Sequence, residues 1–256
     1  MTIQISIHPQ KVFRVLCAII VFLVIMSTLM IAAFYFNRWP EGSPMYQAVK
    51  IFWLDTEANL PTLYQALTLL LSAFLLEVIS LNAASTGKSY VFHWRLMAII
   101  FFWFGVDEAS HIHEVVQALF SQFFRDGILV KHYMPSKILF FIPAILIVVT
   151  FVITYIRFLL YLPKRTRWQF ILSGAIFVGG ALGIEMVSQF FAAVHGKTNM
   201  VYGGLSSLEE IMEMVGIAIF IYALLEYLGR HSIKFQIHFS DDLKNPDSDG
   251  KFVTGM

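Results

Sequence analysis

This sequence has few charged residues, a single cysteine and almost no excess of one charge over the other. Only 14% of the 256 residues are charged, whereas a soluble domain carries about a quarter. The formal net charge is +1, so the chain lacks the basic field that nucleic-acid binding needs, and no nucleic-acid partner is expected. The single cysteine, Cys17, excludes an intramolecular disulfide framework and a cysteine-rich metal site.

Long apolar runs take the place of those charges. Hydrophobic residues make up 58% of the chain, the mean hydropathy is +0.71, and runs of about 20 residues, long enough to cross a bilayer, recur. We therefore predict an all-α integral membrane protein, a bundle of about six transmembrane helices within residues 1–230. The predicted spans are 13–36, 60–83, 94–116, 138–162, 168–194 and 208–228.

The distribution of positive charge predicts the orientation. If the N-terminus is cytoplasmic, most of the 18 lysine and arginine residues lie on that side, including the dense cluster PKRTRW at 163–168. Both termini are then cytoplasmic, and the polar segment 231–256 is predicted to be a disordered tail. Two loops on the outer side, 37–59 and 117–137, either form short interfacial helices or simply anchor in membrane lipid through their aromatic residues.

One stretch, WFGVDEASHIHEVV at 103–116, brings ionisable groups into the outer third of the third span. At about 100° per residue, a continuous helix places Asp107, His111 and Glu114 on one face. Glu108 then lies beside that face, and His113 points away from His111.

Two later spans carry carboxylates at a similar depth. A helix rises about 1.5 Å per residue, which places Glu185 of the fifth span and Glu213 of the sixth in the outer half of the bilayer, with Glu210 nearby. A charge inside hydrocarbon costs several kcal/mol, so an intramembrane ionisable group indicates a functional site. We therefore expect Asp107, His111, Glu185 and Glu213 to converge in the fold.

The residue types favour a cation as the partner of this set. So many carboxylates repel one another unless protons or a cation offset them, and no lysine or arginine lies on the same predicted faces. Oxygen ligands with imidazole suit a divalent transition metal such as Fe, Mn or Zn. The candidate ligands are Asp107, Glu108, His111, His113, Glu114, Glu185, Glu210 and Glu213.

Three classes of function remain open. The first is a metal-dependent membrane enzyme, a hydrolase or oxidoreductase acting on an apolar or lipid substrate, in which Glu108 or Glu114 activates water. The second is a proton- or cation-coupled transporter or channel, for which a homodimer would supply enough spans. Against it, the inner half of the third span, LMAIIFFWFG, offers no polar step. The third is a non-catalytic membrane subunit or a pH sensor.

Simpler roles account for part of the pattern. Ser207 and Glu210 match a capping box that would open the last span. Glu77, near the inner end of the second span, is expected to pair with Arg95. Close helix packing explains the glycines of the fifth span, which are Gly174, Gly179, Gly180 and Gly183. A buried polar network that only fixes helix register is the corresponding alternative for the whole cluster.

The two acidic motifs carry a resemblance. Asp107-Glu108 followed by His113-Glu114, together with SLEEIMEMVG at 207–216, resembles a group of uncharacterised bacterial multi-pass membrane proteins. Those proteins have DE-x4-HE in a middle helix and EE-x2-E in a late one, and the resemblance covers the third to sixth spans. It implies a bacterial inner-membrane protein without an established activity.

Overall fold

The computed structural model describes residues 2–5, 8–37, 39–40, 42–124, 139–196, 200–230 and 235–238. Helices account for most of this part of the chain. They are α1 (Pro9–Asn37), α2 (Pro44–Lys50), α3 (Leu60–Ser85), α4 (Val91–Ser110), α5 (Ile112–Phe124), α6 (Phe141–Tyr161), α7 (Lys164–Val178), α8 (Glu185–His195) and α9 (Met200–Arg230). A π-helical segment, Gly179–Ile184, joins α7 to α8.

Five helical segments are long and apolar enough to cross a membrane, which confirms the coarse prediction of a helical membrane protein. They are Pro9–Phe34, Leu60–Ser85, Phe141–Tyr161, Lys164–His195 and Met200–Arg230. The 20-residue helix α4 is not among them. Its composition gives the reason, because Arg95, Asp107 and Glu108 place charged residues near both of its ends.

The predicted third span, 94–116, is not one helix. α4 ends at Ser110, His111 adopts a left-handed backbone with φ 56°, and α5 begins at Ile112. A non-glycine residue in this conformation breaks the helical path. The predicted common face of Asp107, His111 and Glu114 is therefore wrong, because it assumed a continuous helix through position 111.

The predicted start of the last span is also wrong. α9 begins at Met200, so Ser207 and Glu210 lie inside the helix and do not form its capping box.

The start of α3 is as predicted, and its cause is local. The Asn59 side chain accepts a hydrogen bond from Thr62 N at 3.0 Å, and Pro61 occupies the first turn, where its missing N–H leaves no donor unpaired.

α3 and α9 form the buried centre of the bundle, and more than half of each apolar stretch is buried within the protein. Two glycines allow their neighbours to approach closely. A Cβ on Gly105 of α4 would lie 2.8 Å from Leu70 Cγ, and one on Gly216 of α9 would lie 2.9 Å from Phe177 Cβ. At Gly216 the backbone of Phe177 lies this close as well, so only glycine fits there, whereas at Gly105 the Leu70 side chain would have to shift. α3 and α4, and likewise α7 and α9, therefore pack closely against each other.

Two short strands join the ends of the chain. β1 (Thr2–Ile5) pairs antiparallel with β2 (Phe235–His238), in a register that places Thr2 opposite His238. The segment 231–256 was predicted as a disordered tail; β2 lies within it, and 239–256 fall outside the described residues. The pairing places the start of α1 and the end of α9 on the same side of the bundle. We call this side the terminal end, and the opposite side, where α3 begins and α4 ends, the cluster end.

The loop 37–59 at the cluster end contains a short helix, which was one of the two alternatives that its composition left open. α2 begins after Ser43, whose side chain accepts a hydrogen bond from Tyr46 N at 3.2 Å. The following turn is tied to α1, because Ser27 Oγ accepts a hydrogen bond from Leu54 N at 3.2 Å. The second loop predicted to be interfacial, 117–137, is helical as far as Phe124, and 125–138 fall outside the described residues.

Candidate functional site

The break between α4 and α5 fixes the first carboxylate–imidazole pair. Asp107 Oδ1 accepts a hydrogen bond from His113 N at 2.8 Å, and Asp107 Oδ2 lies 2.9 Å from His113 Nδ1. Asp107 thus caps the first turn of α5 and orients the imidazole that follows it. The prediction placed His113 on the far side of the helix from His111, whereas the left-handed residue at position 111 brings His113 to Asp107.

The second pair joins this break to the loop before α3. His111 Nε2 lies 2.7 Å from Glu57 Oε2. Partial burial raises the pKa of Glu57 above its ordinary value, although His111 opposes the shift. Glu114 and His113 also lie within electrostatic range of Glu57. These two pairs, Glu57–His111 and Asp107–His113, are referred to below as the histidine pairs.

Deeper in the bundle, α3 and α9 meet through a polar contact. Gln65 Nε2 donates a 2.6 Å hydrogen bond to Glu213 Oε2. The Gln65 side chain also lies beside the Glu108 carboxylate of α4. Gln65 is only 2% exposed, so its amide stands between two carboxylates where water has little access. This contact links three helices at one level of the bundle.

Other carboxylates surround that contact. Glu209 and Glu185 lie within electrostatic range of Glu213, and Glu210 interacts with both Glu213 and Glu108. We call these five residues the acidic cluster, and its members are Glu108, Glu185, Glu209, Glu210 and Glu213. The expected convergence of Asp107, His111, Glu185 and Glu213 is therefore present as a connected network, with the histidine pairs at its exposed edge and the acidic cluster further in.

The π-helical segment brings Glu185 to this site. A Cβ on Gly180 would lie 2.9 Å from the Glu209 carbonyl oxygen and 3.3 Å from Glu213 Cγ. The segment therefore packs its backbone directly onto the face of α9 that carries the acidic cluster. Among the four predicted packing glycines, Gly180 and Gly179 make such contacts with α9, whereas a Cβ on Gly174 or Gly183 would meet nothing within 4 Å. Single π-helical turns occur frequently at functional sites.

Arginine ion pairs in the described residues lie away from four of the five members of the acidic cluster. In the described part of the chain, arginine ion pairs involve Glu77 and Glu226, and none involves Glu108, Glu209, Glu210 or Glu213. The pair Arg95–Glu77 at 3.2 Å confirms the partner expected for Glu77. Several close carboxylates in a medium of low dielectric repel one another, so protons or a bound cation must offset part of their charge.

The predicted transition-metal centre is not formed as a ready-made ligand set. Across the described residues, no three histidine, cysteine, aspartate or glutamate side chains are placed to hold one metal ion. The eight predicted ligands instead divide between the two histidine pairs, the exposed Glu114, and the deeper carboxylates of α4, α8 and α9. The structure therefore groups the predicted residues without arranging them around one point.

Several members of the site carried no signal in the sequence analysis. Glu57 belongs to a loop, and Gln65 is neutral, so neither enters a search for intramembrane charges. Asp55 accepts a hydrogen bond from Ser206 Oγ, and Gln117 Nε2 donates to Glu185 Oε1 at 3.4 Å. The sequence does contain a pattern that could have identified Gln65, because Gln65, Thr68 and Ser72 follow one another on α3 at helical spacing. These three residues are called the polar row.

That polar row continues inward from the Gln65–Glu213 contact. Thr68 and Ser72 are buried one and two turns further along α3, and their hydroxyls donate to the carbonyl oxygens of Gln65 and Thr68, each at 2.9 Å. Beyond them comes an apolar layer, and buried polar residues such as Ser80 of α3 recur nearer the terminal end. Fully buried Leu76 of α3 and Ile221 and Leu224 of α9 separate the polar row from the terminal end. The polar groups thus reach from the cluster end to about the middle of the bundle.

Comparison with known proteins identifies the family and no activity. No curated protein and no solved structure matches the chain. Residues 16–227 match the family described as a domain of unknown function (DUF8692), a range that includes both histidine pairs and the whole acidic cluster. The chain belongs to this family.

Proposed function

We propose that this protein is a cation-coupled membrane transporter, in which the acidic cluster exchanges protons for a cation that enters from the cluster end. The observation that carries the proposal is the buried Gln65–Glu213 contact at the inner end of a connected row of ionisable groups. Chains of aspartate, glutamate and histidine inside a bundle are the usual material of proton relays and ion pathways.

The gradient of exposure supports entry from one side. The His113 side chain is 44% exposed and its partner Asp107 is 21% exposed, whereas Gln65 is almost fully buried. A cation at the cluster end would meet the histidine pairs first and the acidic cluster second. The objection that α4 offers no inward polar step is answered by α3, since Thr68 and Ser72 supply those steps.

The apolar layer beyond Ser72 fits one state of an alternating-access cycle. Leu76, Ile221 and Leu224 close the path towards the terminal end while the cluster end stays polar. Coupled transport requires that the two sides are never open together, so this arrangement corresponds to a state open to the cluster end.

Six transmembrane segments, with the cluster end outside the cell, complete the proposal. The β1–β2 pairing favours an even number of crossings, because it holds the segments that precede α1 and follow α9 on one side. Adding α4 to the five apolar segments gives this even number. The positive cluster at 163–168 lies at the start of α7, on the terminal side, which the positive-inside rule assigns to the cytoplasm. A bacterial inner membrane is the corresponding location.

Proteoliposomes test the transport proposal. With a pH-sensitive dye enclosed, an imposed gradient of a divalent cation should drive proton movement across the membrane. Glu213→Gln should abolish this movement. Glu77→Gln should retain it, because Glu77 pairs with Arg95 outside the cluster. Proton movement that is absent from the wild-type protein, or equal in Glu213→Gln and wild type, would contradict the proposal.

A metal-dependent membrane enzyme is the second candidate, and the Asp107–His113 pair favours it. A carboxylate that engages Nδ1 of an imidazole fixes the ring and leaves Nε2 for a metal, an arrangement common in metalloenzymes. Glu108 and Glu114, the two predicted catalytic residues, directly follow Asp107 and His113 in sequence. Elemental analysis of the purified protein tests this candidate, since a stoichiometric transition metal that is lost in His113→Ala would support it.

A further inference from the structure

We infer that the last turns of α9 carry a binding surface for an anionic phospholipid, formed with α1 and α7 at the terminal end of the bundle. The inference goes beyond the proposed function and is independent of it, because none of the residues involved belongs to the acidic cluster. α9 is largely buried within the protein, yet one stripe at helical spacing stays partly exposed along its second half. We call it the α9 stripe, and its members are Val215, Ile219, Tyr222 and Glu226.

Side chains of two other spans meet on the α9 stripe. The Phe13 ring of α1 lies 5.4 Å from the Tyr222 ring, measured between centroids. Arg165 Nη2 of α7 donates a hydrogen bond to the Tyr222 hydroxyl at 3.4 Å. The stripe is therefore flanked by α1 on one side and by α7 on the other, and two exposed positive side chains accompany Phe13 on α1, those of Lys11 and Arg14.

Glu226 holds two guanidinium groups in place beside the stripe. Its Oε1 lies 3.1 Å from Arg165 Nε and 2.8 Å from Arg230 Nη2, and its Oε2 accepts a hydrogen bond from Gln169 Nε2 at 2.7 Å. The Glu226 side chain is only 16% exposed, whereas those of Arg165 and Arg230 are 57% and 42% exposed. A guanidinium carries several N–H donors. Both arginines are thus positioned by the carboxylate and still present donors to an acceptor from outside.

The charge of this surface selects an anion. A single carboxylate, that of Glu226, stands against four positive side chains, and α1 and α7 contain no aspartate or glutamate. The positive side chains are Lys11, Arg14, Arg165 and Arg230. Guanidinium groups match the geometry of phosphate oxygens and bind them through charge-assisted hydrogen bonds. A phosphate group is therefore the acceptor that fits the two arginines.

The position in the membrane makes a phospholipid the source of that phosphate. α1, α7 and α9 all belong to segments long and apolar enough to cross a bilayer. From Tyr222 the α9 stripe continues towards the middle of the bundle through the apolar residues Ile219 and Val215. The exposed Trp168 lies one turn from Arg165 on α7, as is typical of aromatic residues at the membrane interface. A headgroup phosphate at the arginines would place its acyl chains along apolar surface, and basic pockets between spans bind anionic headgroups.

Native mass spectrometry of the purified protein in neutral detergent tests the inference. With phosphatidylglycerol and phosphatidylcholine added at equal concentration, the wild-type chain should retain phosphatidylglycerol in preference. Arg165→Gln should weaken this retention by about fivefold, the effect of one basic residue on binding to an anionic lipid surface. Lys11→Gln combined with Arg14→Gln should weaken it by about fivefold or more. The double variant leaves every contact of Glu226 intact, so it still decides the test if Arg165→Gln folds poorly.

Arg95→Gln is the matched control. It also removes an arginine from a pair with a glutamate near the terminal end, since Arg95 pairs with Glu77 at 3.2 Å, and it should retain phosphatidylglycerol like the wild type. Equal retention of the two lipids by the wild type, or an equal loss in Arg95→Gln and the double variant, would overturn the inference. Inorganic phosphate at the same concentration should not displace the lipid. Displacement would identify a site for free anions, and the assignment to a phospholipid would then be wrong.

Discussion

Replacing Gly180 with alanine should damage the site through packing alone. A Cβ at this position would lie 2.9 Å from the Glu209 carbonyl oxygen and 3.0 Å from Met212 Cβ, so the backbone of the π-helical segment must move away from α9. Overpacking of this kind costs about 1–3 kcal/mol. Alanine recovers about 0.5–1 kcal/mol through its better helix propensity. The expected net loss is therefore between about 0 and 2.5 kcal/mol in the free energy of unfolding, centred on about 1 kcal/mol.

Gly183 provides the matched control within the same segment. A Cβ there would meet nothing within 4 Å, so Gly183→Ala should leave the free energy of unfolding unchanged or raise it by up to about 1 kcal/mol. Equilibrium unfolding in mixed detergent micelles, followed by circular dichroism, measures both variants. Gly180→Ala should also reduce the cation-driven proton movement in proteoliposomes, because Glu185 of the acidic cluster moves with the displaced segment. Equal stability of the two variants would refute the close approach on which this reasoning depends.

Three further substitutions probe other contacts of the site. Glu213→Ala should destabilise the protein by about 1–3 kcal/mol because it leaves the buried Gln65 amide without its acceptor, whereas Glu213→Gln should cost less in the same unfolding assay. Asp107→Ala removes the cap of α5 and should cost about 1 kcal/mol; increased proteolysis within α5 would report it, and unchanged proteolysis would contradict the capping role. Gly105→Ala should destabilise the α3–α4 contact by about 1 kcal/mol in thermal unfolding, and an unchanged melting temperature would count against that contact.

The helical membrane architecture followed from composition because bilayer thickness imposes a long apolar run on every span. The start of α3 was equally accessible, since Asn59 and Pro61 are local signals that act on adjacent backbone groups. α4 was harder to classify. Its charged residues lower its hydropathy, so only its position between other spans and the pairing of the chain ends argue that it crosses the membrane.

The internal arrangement of the site was only partly accessible from the sequence. Periodicity identified Asp107, Glu185 and Glu213 as candidates but assumed an unbroken helix through position 111. The left-handed conformation of His111 depends on tertiary contacts, including its approach to Glu57 from a distant loop. A helix-period pattern contains no information about such a break when no glycine or proline marks it.

Gln65 shows a different limit of sequence reasoning. A search for intramembrane function begins with charged residues, because their transfer cost is largest. A neutral glutamine in a leucine-rich span is easily read as a packing or hydrogen-bonding residue. Its importance here comes from the position of Glu213, 148 residues away in sequence, which only the packing of α3 against α9 brings into contact.

Proton release on cation binding tests the central claim most directly. Purified protein in weakly buffered detergent solution, with a pH indicator present, is titrated with Ca²⁺ or Mn²⁺. We expect the bound cation to displace protons from the acidic cluster. The solution should therefore acidify in proportion to cation binding, and the acidification should saturate when binding does. Glu213→Gln should lose the response, and Glu77→Gln should keep it. A wild-type protein that releases no protons under saturating cation would contradict the account.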